Sequence, residues 1–139
     1  MKTSRFAKIT FVVLIAFSLI AVITFTGIYL YVKSYTDRYV GIACSCFPED
    51  HDKIYALINY MKSSDYSLES RNNMVWTIGR LSDRRALPYL QALYTGEPCR
   101  HSQELCQYEL SKAINRCGGK VVFLYADTKT GNRFNFNPR

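Results

Sequence analysis

The chain has 139 residues, of which 48% are hydrophobic, and its formal net charge is +7. This length provides one small domain, and much of the apolar content lies in a single block near the N-terminus. Four basic residues flank that block, and the 14 that remain face 11 acidic residues, so the rest of the chain is too close to neutral to indicate nucleic-acid binding.

Residues 9–32 are predicted to form a transmembrane helix. These 24 residues contain no charged residue, Pro, Asn or Gln. At about 1.5 Å rise per residue they span about 36 Å, which exceeds the hydrocarbon core of about 30 Å. Tyr29, Tyr31 and Tyr35 cluster at the far end, where the headgroup layer favours such rings. A cleaved signal peptide is the alternative, but its apolar region is normally only about 7 to 15 residues long. An uncleaved signal anchor is therefore favoured.

Basic residues at the two ends of this segment predict its orientation. Lys2, Arg5 and Lys8 precede it, whereas Lys33 and Arg38 follow it and are partly offset by an acidic neighbour. Because cytoplasmic flanks carry the basic excess, residues 1–8 are predicted to be cytoplasmic and the C-terminal domain extracytoplasmic, anchored in the inner or plasma membrane.

After the anchor, residues 33–50 are predicted to be a juxtamembrane linker, since they show no sustained hydrophobic period. Residues 51–119 form the predicted helical domain. Its first two helices, at residues 51–62 and 67–81, follow from apolar positions at helical spacing. These positions are Ile54, Leu57, Ile58 and Met61 in the first helix and Leu68, Val75, Ile78 and Leu81 in the second.

Two further helices complete the predicted domain. The third follows Asp83, a preferred N-cap, and runs to about Thr95; the fourth occupies residues 102–117, before Gly118 and Gly119. Their inward positions are Leu87, Leu90, Leu93 and Tyr94 in the third helix and Cys106, Leu110, Ala113, Ile114 and Cys117 in the fourth. The sequence therefore predicts an all-α domain of two helical hairpins.

The two hairpins show internal repetition. Residues 77–82 align with residues 113–118 at an offset of 36, and Ile54 and Leu57 align with Leu87 and Leu90 at an offset of 33. The segment TIGRLSD at residues 77–83, followed by ALPYL at residues 86–90, resembles the bacterial HEAT-repeat family. That resemblance implies a small HEAT-like stack, although two repeats are fewer than a stack usually needs, so an ordinary four-helix bundle remains the alternative.

Residues 120–139 are predicted to be an extended or hairpin tail. An apolar run at residues 121–125 is followed by a turn-like segment around Gly131, and then by Phe134 and Phe136 in alternation with asparagines. An isolated hairpin is only marginally stable, so we expect this tail to pack on the end of the helical domain.

Five cysteines are the residues most capable of chemistry. In an oxidising compartment we expect a disulfide between Cys99 and Cys106, while Cys44 or Cys46 could form an intermolecular bridge. Cys106 and Cys117 also lie on the inward stripe, where a thiol can simply pack as a small hydrophobe.

A metal site is the competing interpretation of these cysteines. It would use Cys44, Cys46 and His51, or Cys99, His101 and Cys106. The spacings match no established metal motif, so a thiol-redox or metal-handling protein is retained only as the alternative function.

No nucleophile, phosphate-loop, dinucleotide or metalloprotease motif occurs, so we predict neither catalysis nor a cofactor. The resemblance to HEAT proteins implies binding of a protein partner through the second helix of each hairpin. Because of the anchor, we expect that partner in or at the membrane, and the chain could also be a subunit of a larger membrane complex, with the anchor helix itself making contacts. The residues expected to contact the partner are Asn73, Trp76, Arg80, Glu109, Lys112 and Arg116. The alternative for Trp76 is that it fills the space between helices.

Overall fold

The computed structural model describes residues 5–99 and 103–121, and within these ranges it contains helices and no strand. The elements are α1 (Arg5–Cys46), α2 (Lys53–Lys62), α3 (Leu68–Leu81), a 3-10 turn (Arg84–Ala86), α4 (Leu87–Leu93) and α5 (Gln107–Arg116). The predicted all-α class is confirmed for this part of the chain. Apart from Lys120 and Val121, the predicted C-terminal tail lies outside the described residues.

The chain divides into two structural units after Asp37, and the first consists of the apolar part of α1. Side chains at residues 9–31 are exposed, as expected of a helix that needs another apolar environment. The hydroxyls of Ser18 and Thr24 donate to the carbonyls of Leu14 and Ile20, at 2.9 and 2.8 Å, so neither hydroxyl needs a partner outside the helix. Of the helices that the structure describes, α1 alone is long and apolar enough to span a membrane or to serve as a signal sequence.

α1 is longer than the predicted anchor. Residues 33–46, which we predicted as part of a linker, continue the helix to Cys46. Val40, Ala43 and Phe47 fall at i, i+3 and i+7 and pack on the core of the second unit, where Ala43 is fully buried. This apolar stripe was not recognised in the sequence, because it is short and is interrupted by Gly41 and two cysteines. Pro48 cannot extend the helix, because it has no backbone N–H.

α2 and α3 form the first hairpin as predicted. Ile54, Leu57, Ile58 and Met61 are all buried, and so are Val75 and Ile78, whereas Leu68 and Leu81 are half-buried against the core. Capping accounts for where the two helices begin. Asp52 accepts the N–H of Ile54 at 2.8 Å, and Ser67 accepts the N–H of Ser70 at 3.2 Å.

α4 and α5 form a second packed pair, and α3 packs against α5. The contact between α3 and α5 depends on Gly79, where an added Cβ would lie 2.9 Å from the Cα of Ala113. The absence of a side chain at Gly79 therefore allows the two backbones to approach this closely. The core of the second unit is built around these four helices and residues 38–47.

The second pair of helices differs from the prediction at three points, which are the start of α4, the end of α4 and the start of α5. Asp83 caps as expected, accepting the N–H of Arg85 at 2.9 Å, but it starts a 3-10 turn before α4 begins at Leu87. Pro88 lies in the first turn of α4, where its missing N–H costs nothing. α4 ends at Leu93, short of the predicted Thr95, and Tyr94 is already extended.

The predicted start of the last helix near residue 102 is wrong, since α5 begins at Gln107. The N–H of Cys106 donates to Asn72 on α3 at 2.8 Å, and Leu105 is buried in the core. These two tertiary contacts fix the chain in a non-helical path just before α5. Its end matches the prediction: Gly118 has a φ of +92°, and the N–H of Gly119 donates to the carbonyl of Ile114 at 2.9 Å.

Candidate functional site

We define the candidate face as the six residues predicted to contact a partner, three on α3 and three on α5. Because these helices pack side by side, the fold places both sets on neighbouring elements. In the repeat alignment the first residues of each set are equivalent at an offset of 36, as are the second and the third. The set comprises Asn73, Trp76 and Arg80 on α3 and Glu109, Lys112 and Arg116 on α5.

On α3, the members of the candidate face differ in exposure. Asn73 is half-buried, and its side-chain amide donates to the hydroxyl of Tyr39 on α1 at 3.0 Å. The guanidinium of Arg80 is exposed and lies 5.3 Å from the ring centre of Trp76, which is half-buried. A cation over an aromatic face is attracted by the ring quadrupole, by about 0.5–1 kcal/mol at an exposed site, so the contact favours this arrangement of the pair. Asn73 is thus engaged by the end of α1, while Trp76 and Arg80 form the accessible part.

On α5, a similar cation–aromatic pair occurs one helix away. The ammonium of Lys112 lies 4.6 Å from the ring centre of Tyr108 and 3.0 Å from the carboxylate of Glu109. Arg116 is exposed, and Tyr108 is 49% exposed. Tyr108 is not among the six predicted residues, although its position four residues before Lys112 could have indicated the contact.

The candidate face has a positive balance. Arg80, Lys112 and Arg116 supply three cations, and Glu109 supplies one carboxylate. Trp, Tyr and Arg are the residue types that most often anchor protein interfaces, and a surplus of cations favours a partner that presents carboxylates.

A second charged cluster lies where the first helix of each hairpin begins. Arg85 forms ion pairs with both Asp52, the N-cap of α2, and Asp83, the N-cap of the 3-10 turn, at 2.7 Å to Asp83. Hydrogen bonds from Arg85 hold the pKa of Asp83 at about 2, and the N–H of Ile54 together with Arg85 lowers the pKa of Asp52. Both shifts are explained by capping and pairing, so this cluster joins the two hairpins structurally.

Stacked aromatic rings lie between the end of α1 and α2. Tyr60 and Tyr66 stack with ring centres 3.7 Å apart, and Phe47 meets Tyr66 edge-on at 6.4 Å. The thiol of Cys46 beside the Tyr66 hydroxyl, together with partial burial, raises the pKa of Tyr66 to about 12. A phenol that is so difficult to ionise is a packing group rather than a base.

None of the five cysteines forms a disulfide in the structure, and two of them are in contact. The sulfurs of Cys99 and Cys106 lie 3.4 Å apart, which brings together the pair that we predicted. Cys117 is buried and its thiol faces the carbonyl of Ile78 at 3.9 Å, consistent with a packing role. Cys44 is half-buried and Cys46 is exposed.

The two predicted metal sets are not assembled among the described residues. No group of three His, Cys, Asp or Glu side chains there could hold a metal ion. His51 is exposed, and His101 lies outside the described ranges.

Comparison with known proteins yields no relative. No protein-family model matches the chain, and neither a curated protein nor a solved structure matches it.

Proposed function

We propose that this protein is a single-pass membrane protein whose helical domain, HEAT-like in its repeats, binds a protein partner and is not catalytic. Residues 9–32 serve as an uncleaved anchor in the inner or plasma membrane, with the N-terminus in the cytoplasm and the domain outside it. The basic flank at Lys2, Arg5 and Lys8 supports this orientation.

The observation that carries the proposal is the pair of cation–aromatic contacts on adjacent helices. Arg80 with Trp76 on α3 and Lys112 with Tyr108 on α5 present large rings beside cations on two packed helices. An exposed contact of this kind is worth about 0.5–1 kcal/mol, so it favours one arrangement of the side chains and lowers the cost of ordering them when a partner binds. The partner we propose is a protein at the membrane with carboxylates on its contact surface.

The distribution of shifted pKa values supports a non-catalytic role. Among the described residues, the shifts at Asp52, Asp83 and Arg85 come from one ion-pair cluster. Those at Cys106 and Cys117 come first from burial. Active sites usually combine such shifts with convergent polar groups in a cleft, and none of these shifted groups belongs to the candidate face.

Site-specific photo-crosslinking in native membranes tests this proposal. A photoreactive phenylalanine derivative is placed in the full-length protein at position 80, at position 116, or at the exposed Gln91 on α4 as the matched control. We expect the same adduct mass from positions 80 and 116 and none from 91. Arg116→Glu should lower the yield at position 80 by about fivefold, which corresponds to the roughly 1 kcal/mol typical of an interface anchor.

Two results would contradict the proposal. Equal adduct yields from position 91 and the two face positions would mean that the labelling reflects general crowding. The absence of adducts from both face positions would mean that α3 and α5 do not carry the partner contact.

The alternative function, in thiol redox or metal handling, has one specific observation in its favour. This is the contact between the sulfurs of Cys99 and Cys106, and it bears on redox chemistry rather than on a metal, since no third ligand joins the pair among the described residues.

A further inference from the structure

The chain between α4 and α5 is held close to the start of α5 at two points. The side-chain carbonyl of Gln107 accepts the N–H of Thr95 at 2.8 Å, which joins the end of α4 to the first residue of α5. The N–H of Tyr108 donates to the sulfur of Cys99 at 3.3 Å. Together these bonds place Cys99 against Cys106, the N-cap of α5.

The two sulfurs are close enough to bond without rearrangement of the helices. They lie 3.4 Å apart, and a disulfide bond is about 2.05 Å long, so they must approach by only about 1.3 Å. The movement falls on Cys99, because Cys106 is fixed by its backbone bond to Asn72.

The two cysteines also differ in access. Cys99 is half-buried in the connecting segment, whereas Cys106 is 8% exposed. Burial raises the pKa of Cys106, which suppresses its direct reaction with an external reagent. An incoming disulfide therefore meets Cys99 first.

We propose that Cys99 and Cys106 are a redox-active pair in which Cys99 takes up a disulfide electrophile and Cys106 resolves it. The ligand class is a small-molecule or protein disulfide, and this inference is independent of the candidate face. The Cys99 thiol loses its proton and attacks one sulfur of the incoming disulfide. The disulfide's S–S bond breaks, a mixed disulfide forms at Cys99, and one thiolate leaves and is protonated.

In the second step the Cys106 thiol loses its proton and attacks the Cys99 sulfur. The mixed disulfide breaks, and the second thiolate leaves and takes up that proton. In total, two protein thiols are oxidised to one disulfide, and the incoming disulfide is reduced to two thiols. The product closes a short covalent ring at the start of α5 and stabilises it.

Peptide mapping of the full-length protein after treatment with glutathione disulfide tests the pair directly. Trypsin cleaves after Arg100 and separates the two cysteines into peptides 86–100 and 101–112, each of which contains one cysteine. After acid quenching and alkylation, we expect these peptides to be joined by a disulfide. Cys46→Ser serves as the matched control and should leave the joined product unchanged, because the exposed Cys46 is outside the pair.

Two variants separate the roles of the pair. Cys106→Ser should accumulate glutathionylated peptide 86–100 about tenfold above the wild type, because the resolving thiol is missing. Cys99→Ser should leave peptide 101–112 unmodified, because Cys106 is buried. Circular dichroism of each variant checks that the helices are retained.

The wild-type experiment alone can overturn the proposal, whatever the variants do. The pair is refuted if both peptides are recovered alkylated, if a stable mixed disulfide persists at Cys99, or if either cysteine joins a second copy of the chain instead. Preferential glutathionylation of Cys106 in the Cys99→Ser variant would refute the assigned order of attack.

Discussion

Gly79 allows α3 to approach α5 closely. A Cβ there would lie 2.9 Å from the Cα and 3.0 Å from the Cβ of Ala113. Both obstacles are at or next to the backbone, so no flexible side chain can move aside. Elsewhere in a helix, replacing Gly with Ala normally helps, and the structure provides such a position at Gly41, where an added Cβ meets nothing within 4 Å.

We expect Gly79→Ala to destabilise the domain by about 1–3 kcal/mol, because it forces two packed helices apart. Gly41→Ala, the matched control, should instead stabilise it by about 0.5–1 kcal/mol through helix propensity. Urea unfolding of the full-length protein in detergent, followed by circular dichroism, measures both. Stabilisation by both substitutions would show that α3 and α5 are not in close contact.

Arg85 makes the free energy of unfolding depend on pH in the acidic range. Its two carboxylate partners have lowered pKa values in the folded state, about 2 for Asp83 against an ordinary 3.8. A lowered folded pKa contributes stability that is fully present above the unfolded value and is lost as the pH falls through the folded value. The sensitive range is therefore between about pH 4 and pH 2.

We expect the urea midpoint of the wild type to fall between pH 4 and pH 2 by more than that of Arg85→Gln. Without the guanidinium, the carboxylates should titrate nearer their ordinary values, so less stability is lost over this range. Arg84→Gln is the control, since Arg84 is also exposed and forms no ion pair with a described residue. Identical acid sensitivity in all three proteins would remove Arg85 from this role.

At the scale of elements, the end of α5 depends on backbone conformation rather than on packing alone. Gly118 takes a φ of +92°, and the carbonyls of Ile114 and Asn115 accept the N–H groups of Gly119 and Gly118. Val121, two residues after Gly119, continues this closure, since its backbone exchanges two hydrogen bonds of 3.0 Å with the side chain of Asn115. A left-handed residue is therefore needed at Gly118 for the chain to turn back.

Gly118→Ala should lower the free energy of unfolding by about 1–2 kcal/mol, because an L-residue with a side chain is strained at positive φ. Gly118→Asn should cost less, since Asn tolerates this conformation better than Ala. Thermal unfolding of the three proteins gives the comparison, and equal stability of the Ala and Asn variants would argue against a left-handed conformation here.

The helices α2 and α3 could be predicted closely because their signals are local. Asp52 and Ser67 cap them, and their apolar stripes keep helical spacing over two or more turns. The start of α5 could not be predicted, because it depends on a bond to Asn72, 34 residues earlier in the chain. The end of α1 was not predicted for a related reason. Its apolar stripe is short, and its burial depends on contacts with helices that come later in the chain.

Contacts within each helix of the candidate face were predictable to the same extent. Helical spacing indicated that Trp76 lies near Arg80 and Glu109 near Lys112, and both pairs are in contact in the structure. The hydrogen bond between Asn73 and Tyr39 could not be predicted, because Tyr39 was expected to lie in a linker without helical structure.

At the scale of the whole molecule, the proposed anchor determines where the protein resides. Replacing Leu19 and Ile20 with Arg puts two charges near the middle of the apolar segment, at a cost of about 2.5–3.5 kcal/mol each. We expect this variant to appear in the soluble fraction after carbonate extraction, while Leu19→Ala with Ile20→Ala stays in the membrane pellet. Retention of the Arg variant, or removal of the segment from the mature protein by mass, would contradict the anchor.

Because the end of α1 contributes to the core, it limits where the chain can be truncated. Ala43 is fully buried, Phe47 meets Tyr66, and Tyr39 accepts a bond from Asn73. A truncated fragment that starts at residue 51 would lack these three contacts and would expose apolar core surface to solvent. A soluble version of the domain for crystallisation or NMR should therefore begin no later than Arg38.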